Sequence, residues 1–218
     1  MRSIPDSIRV LLQHGKPWLL LAVALSFSAC AHQTVRRTSR SFSTVIIDAG
    51  HGGKDRGTQS SRLIAEKDAA LDIALKVNAR LQSAGVQTKL IRSGDYFVEL
   101  DERVNMSNAV SNAIFVSVHL NECRPRRDMH GVETYYFSAE SQELAQRILR
   151  KVGALPGESP HFMKTARFRV LRNNRNPAVL VECGYLSNRA EAERFASASY
   201  RSTVANAIAE AILEQRGG

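Results

Sequence analysis

The sequence predicts a single α/β domain whose twisted, mostly parallel sheet of about six strands carries helices on both faces. Three observations predict it. Short β-rich runs alternate with helical ones from about residue 44 onward, and several of the runs are apolar throughout instead of alternating. Strands of that kind are buried on both faces, which is the habit of parallel sheets. The chain has 218 residues, of which 44% are hydrophobic and 23% charged. That length holds one domain plus a short appendage, and that composition suits a packed core.

The elements follow in order. Thr44 to Asp48 (TVIID) reads as the first strand, Glu66 to Ser83 as an amphipathic helix, and Val86 to Ile91 as a strand entered from Gly85. Leu100 to Val110 is a second helical stretch, and Ile114 to Val118 an apolar strand. Val132 to Phe137 is a further strand. Glu140 to Val152 is a third helix, with Leu144, Ile148 and Val152 at helical spacing. Phe168 to Leu171 and Ala178 to Val181 read as strands, and Tyr200 to Gln215 as a closing helix with Val204, Ile208 and Ile212 on one face. There is no internal repeat.

The first 29 residues have the pattern of a signal peptide. Arg2, Arg9 and Lys16 precede the run WLLLAVALSFSA, Trp18 to Ala29, which at about twelve residues is short of the roughly 20 a spanning helix needs. Phe27-Ser28-Ala29-Cys30 resembles a bacterial lipobox, in which cleavage leaves Cys30 as the lipidated first residue and a lipid in the membrane. Ala29-Cys30-Ala31 also fits an ordinary signal-peptidase site. Residues 30–43 read as a tether, long enough at roughly 20 Å root mean square to hold a domain off a membrane surface. The domain proper is placed at 44–216.

The formal charge is +9, with a sequence pI near 9.9. Residues 1–29 hold three basic residues and one acidic, so the positive balance stays with the remainder. It favours nucleic acid, an anionic membrane or an acidic polymer such as a cell wall. The basic residues are scattered and no aromatic-basic motif of a nucleic-acid module is present, so nucleic acid is disfavoured. The three cysteines, Cys30, Cys123 and Cys183, are too few for a disulfide scaffold and lack the spacing of a zinc finger.

The chemistry sits at strand ends. After the first strand comes Asp48-Ala49-Gly50-His51-Gly52-Gly53, a tight turn that leaves His51 facing the crevice where open α/β sheets bind ligands. Such a turn is also compatible with a purely structural role, and it lacks phosphate-loop patterns. His119 occupies an equivalent position after Val116-Ser117-Val118. Glu66 opens the first helix, where an acid also suits the helix dipole. Two imidazoles and one carboxylate are the ligand set of a catalytic zinc with one position open for water. The last strand runs straight into Glu182, and a carboxylate ending a buried strand needs a partner or a task such as general base.

Six segments in order, VIIDAGHGGKDRG, AEKD, IRSGDYFVELDERVNMSNA, IFVSVHLN, GVETYY and PAVLVECGYLSN, resemble the zinc-dependent N-acetylmuramoyl-L-alanine amidases of bacterial cell-wall turnover. The resemblance covers about residues 44–215. It implies Zn2+ held by His51, Glu66 and His119, with Glu182 as the catalytic glutamate and Asn121 and Arg172 lining the substrate pocket. The implied substrate is the amide between N-acetylmuramic acid and L-alanine of peptidoglycan, cut by a monomeric enzyme of the cell envelope. Two alternatives share the ligand set: an inactive peptidoglycan-binding protein, and a zinc peptidase acting within the stem peptide. Leu120 and Glu122-Cys123-Arg124-Pro125 depart from the small residues usual in the family, which implies a different pocket rim. The usual Gly upstream of the EKD run is absent from Ser60 to Leu63. The segment between Phe137 and Phe168 is too short for the self-blocking helix of some relatives, so activity is expected to follow location and substrate supply. Cys123 and Cys183 flank the site and are expected either to pair, closing a long loop, or to stay as thiols. His130 and His161 lie outside every motif.

Overall fold

The computed structural model describes residues 39–58, 62–157 and 160–217. The leader, Cys30 and most of the tether fall outside them. The elements are β1 (Thr44–Ala49), α1 (Glu66–Ser83), β2 (Gln87–Leu90), α2 (Leu100–Asn108), β3 (Ala113–Asn121), β4 (Val132–Tyr136), α3 (Gln142–Gly153), β5 (His161–Thr165), α4 (Arg169–Arg172), β6 (Ala178–Tyr185), α5 (Arg189–Ala196) and α6 (Ala198–Gly217). One six-stranded sheet runs in the order β2-β1-β3-β6-β4-β5. Every neighbouring pair is parallel except β4 with β6.

The apolar strands sort their side chains by parity. Val45, Ile47, Val116, Val118, Val179 and Val181 face the back, where α1, α3 and α6 bury Ile73, Val77, Ile148, Ile208 and Ile212 against them. Ile46, Phe115 and Leu180 face the front, where Val104 of α2 and Val170 and Leu171 of α4 cover them. From β1 the chain goes to β2 on one side and then to β3 on the other. The carboxyl ends of β1 and β3 are therefore the topological switch point, the place where open sheets form ligand crevices.

Four readings change. Phe168 to Leu171 is not a strand: Phe168 is the extended residue before the one-turn helix α4, whose Val170 and Leu171 are buried while Arg169 and Arg172 stay exposed. A strand does exist upstream, β5, unread because an exposed edge strand, HFMKT, shows no apolar pattern. Helix α5 was also unread, although Asn188 caps it by accepting from the Glu191 amide at 3.2 Å. Residues 39–43, assigned to the tether, are packed on the domain. Ser39 accepts from Gln215 Nε2 at 2.9 Å, Arg40 pairs with Glu143, and Phe42 lies in the core. Among the described residues no helix is long and apolar enough to cross a membrane.

Candidate active site

The turn after β1 is bound by two buried arginines. Arg92, fully buried, donates through Nε to the Ala49 carbonyl at 2.9 Å and through Nη2 to those of Gly50 and Lys67 at 2.6 and 2.8 Å. Arg103 reaches the Ala49 and His51 carbonyls at 2.8 and 2.6 Å and forms an ion pair with Asp48 at 2.5 Å. Asp48 also accepts from Ser117 Oγ at 2.8 Å. These contacts hold His51 at φ 59°, a left-handed backbone that a residue with a Cβ adopts only when its surroundings impose it.

His51 and His119 meet edge to face, ring centroids 4.9 Å apart. Glu66, buried at the start of α1, lies between them: its Oε1 is 3.0 Å from His51 Nε2 and 3.0 Å from His119 Nδ1. The same oxygen accepts from the Leu120 amide at 3.0 Å, and Oε2 from the Thr58 amide at 2.7 Å. One candidate ligand atom from each of the three residues lies within 4.8 Å of the others, and His-His-carboxylate is the donor set of a catalytic zinc. Asp55 supports the cluster, 2.8 Å from His51 Nδ1, the arrangement by which a carboxylate fixes the ring of a metal-binding histidine. Burial opposes charge on His51, but Glu66 and Asp55 outweigh it and raise its pKa. Burial likewise opposes charge on Glu66, and the two imidazoles outweigh it and hold the carboxyl far below the usual range. Close packing leaves no slack here: a Cβ on Gly50 would stand 2.3 Å from the His119 ring, and one on Gly57 2.4 Å from Glu66 Oε2.

Glu182 of β6 is the register partner of His119. Its Oε2 is closed off from solvent and has no hydrogen-bond partner among the described residues. Burial, then the negative charges of Glu66 and Glu133, push its carboxyl well above the ordinary range. All four residues line one cavity of about 720 Å³, which Phe97, Leu100, Phe168 and Val170 line as well. Asn121 lines it too, donating to Glu133 Oε2 at 3.3 Å. Arg172 does not: it is exposed at the end of α4 and bonds its neighbour Asn173, because the helix turns it away. The cations on the cavity are Arg103 and, at the rim, Arg169, which is paired with Asp101 at 2.5 and 2.8 Å. Glu122 closes another part of the rim by accepting from Thr58 Oγ1 at 2.6 Å. Cys123 and Cys183 form no disulfide. Helix α3 packs its apolar face on the back of the sheet, away from the cavity.

Sequence reading missed Arg92, Arg103, Asp48 and Asp55. Asp48 carried the signal that exposed Glu182, an acid ending an apolar strand, whereas the arginines lie in helical or loop text where a cation is unremarkable.

The fold and site define a class: a single-domain α/β protein with a His-Glu-His metal-type cluster at the switch point of its sheet and, on the neighbouring strand, a further glutamate with one carboxylate oxygen closed off from solvent. A match to the N-acetylmuramoyl-L-alanine amidase family spans residues 45–214, and the chain belongs to that family. It is 37% identical over 169 residues to the N-acetylmuramoyl-L-alanine amidase LytC of Bacillus subtilis, an alignment covering 76% of this chain and 34% of LytC. It is 32% identical to the uncharacterized protein YqiI of the same organism, covering 88% of this chain and 93% of YqiI. The solved structure of the N-acetylmuramoyl-L-alanine amidase AmiC2 of Nostoc punctiforme superposes with a TM-score of 0.76 at 39% identity, over 78% of this chain and 95% of that one. The chain thus spans about a third of the length of LytC.

Proposed function

We propose that this protein is a zinc-dependent N-acetylmuramoyl-L-alanine amidase that hydrolyses the amide between the lactyl group of N-acetylmuramic acid and L-alanine of the peptidoglycan stem peptide. The observation that carries the reading is the enclosed, unpartnered carboxylate oxygen of Glu182 on the cavity that His51, Glu66 and His119 also line. The three ligands fit zinc in donor type, in mutual distance and in the support that Asp55 gives His51. When bound, zinc polarises an amide carbonyl and makes water acidic enough to attack near neutral pH.

The remaining work falls to the chain's own residues. Glu182 takes a proton from the attacking water as the carbon–oxygen bond forms, and delivers it to the amine nitrogen as the carbon–nitrogen bond breaks. A carboxyl that burial inclines to hold a proton suits the second of these transfers. Phe97, Leu100 and Phe168 give the cavity an apolar lining, and Asn121 adds an amide to it.

The leader at 1–29 and the lipobox-like Cys30 support export to the cell envelope with a membrane anchor, and a monomer suffices because one chain supplies the whole cluster. The test is mass spectrometry of muropeptides incubated with the purified protein, with and without a zinc chelator. Release of intact stem peptide with a free L-alanine amine, stopped by the chelator, supports the amidase. Cleavage inside the peptide makes the protein a peptidase, and unchanged muropeptides despite bound zinc make it a binding protein.

A further inference from the structure

The front face of the sheet changes character from one side to the other. Over β1, β3 and the start of β6 it is covered by α2 and α4. Over β4 and β5 the same face carries the buried Glu133, but Tyr135 is only partly buried and Phe162 and Lys164 are exposed. Glu182 is paired with Glu133, Leu180 with Tyr135, Glu133 with Phe162, and Tyr135 with Lys164, so Tyr135, Phe162 and Lys164 share the face of Glu182 and Leu180. Helix α3 packs on the opposite face, where Tyr136 and Met163 meet the core.

These residues form a ladder that leads out of the cavity. Phe168, on the cavity wall and 42% exposed, lies against Tyr135 with ring centroids 5.1 Å apart. Lys164 Nζ stands 5.8 Å from the Tyr135 centroid and 5.7 Å from that of Phe162, which is 48% exposed on the free edge strand. The Lys164 charge is already matched by the buried Glu133 at 2.5 Å, and Tyr135 donates to the same carboxylate. The ladder offers flat apolar rings with no unmatched charge.

We propose that Phe168, Tyr135 and Phe162 form a subsite for the glycan strand, on which sugar rings stack as the chain leaves the reacting muramoyl residue. The inference rests on the amidase reading of the cavity and deepens it. Continuity with the cavity makes the occupant part of the substrate, and charge then selects the glycan over the stem peptide. The ladder is continuous with the cavity, so its occupant is attached to the reacting group. Its one cation is neutralised within the protein, whereas a peptide rich in free carboxylates calls for unmatched positive charge. Pyranose rings present flat C–H faces to aromatic rings and hydroxyls to the polar atoms between them, which matches rings interleaved with an ammonium and a phenol.

The test compares the Phe162→Ala protein with wild type on two substrates. On polymeric glycan carrying stem peptides, kcat/KM falls about fivefold, the scale of one lost ring-stacking contact, through KM. On a single muramoyl-peptide, too short to reach Phe162, it is unchanged. An equal loss on both substrates, or no loss on the polymer, overturns the proposal. A second measurement separates this from failure of the amidase reading: co-sedimentation of the Glu182→Gln protein with peptide-free glycan strands. Retention that Phe162→Ala weakens supports the subsite even if no turnover is found. Retention by stem peptides alone, or retention indifferent to Phe162, overturns it.

Discussion

His119 and Glu182 are register partners on the adjacent parallel strands β3 and β6, so one side chain of the metal-type cluster and the enclosed glutamate share the front face of the sheet. Beyond this pair the register shifts between His119 and Asn121. The two roles proposed for the site, holding a cation and moving a proton, thus fall on neighbouring strands, and a one-residue slip of either would turn its side chain to the wrong face.

That division can be separated experimentally. Glu182→Gln keeps the size of the side chain and is expected to bind zinc at one equivalent while turnover falls by about 10² to 10⁴. His51→Ala is expected to lose zinc and turnover together. Metal analysis beside muropeptide turnover distinguishes them, and a fully active Glu182→Gln protein would refute its role.

Support from behind the ligands should be visible as metal affinity. Removing the Asp55 carboxylate in Asp55→Ala frees the His51 ring and is expected to weaken zinc binding by about 10- to 100-fold, measured by competition with a chelator. Gly50→Ala acts on the other histidine, because its Cβ would stand 2.3 Å from the His119 ring and force that ring to move. Zinc affinity unaltered in both variants would show that the ligands are positioned otherwise.

Stability should depend on the buried pair beneath the turn. Arg103→Met leaves Asp48 buried with Ser117 as its remaining side-chain partner, and is expected to cost about 3 to 5 kcal/mol in denaturant unfolding. Combining it with Asp48→Asn is expected to cost less than the two single changes summed, since no unmatched charge then remains. Strict additivity would argue against the pair.

Acid should act through Glu133. Burial opposes its ionisation, but Lys164, Tyr135 and Tyr185 outweigh burial and lower its pKa despite the nearby Glu182. A folded-state pKa below the unfolded value near 4.3 means stability is fully present above that value and is lost as pH falls through the folded one. Glu133→Gln is therefore expected to flatten the fall in unfolding free energy below about pH 4.5. An unchanged slope would remove Glu133 from the acid response.

Much of the site was legible because its residues sit where chain direction alone dictates position. His51, His119 and Glu182 each end or follow an apolar run, and in a parallel sheet the ends of such runs come together at one edge. Arg172, which the family resemblance put on the pocket, lies off the cavity because α4 is a single helical turn that brings Arg169 to the cavity and leaves Arg172 exposed. Strand β5 escaped notice because an edge strand exposed on one face carries no burial pattern.

The sequence by itself determined the α/β class and the order of most elements, and it brought forward His51, His119 and Glu182 at strand ends and Glu66 at a helix start, since periodicity, element ends and motifs are local properties of the chain. Only the tertiary structure decided that Glu66 stands between both histidines, that Arg92 and Arg103 clamp the turn, and that Tyr135, Phe162 and Phe168 line up. Those contacts join residues tens of positions apart, and their geometry follows from sheet register and helix packing, which the chain acquires only on folding.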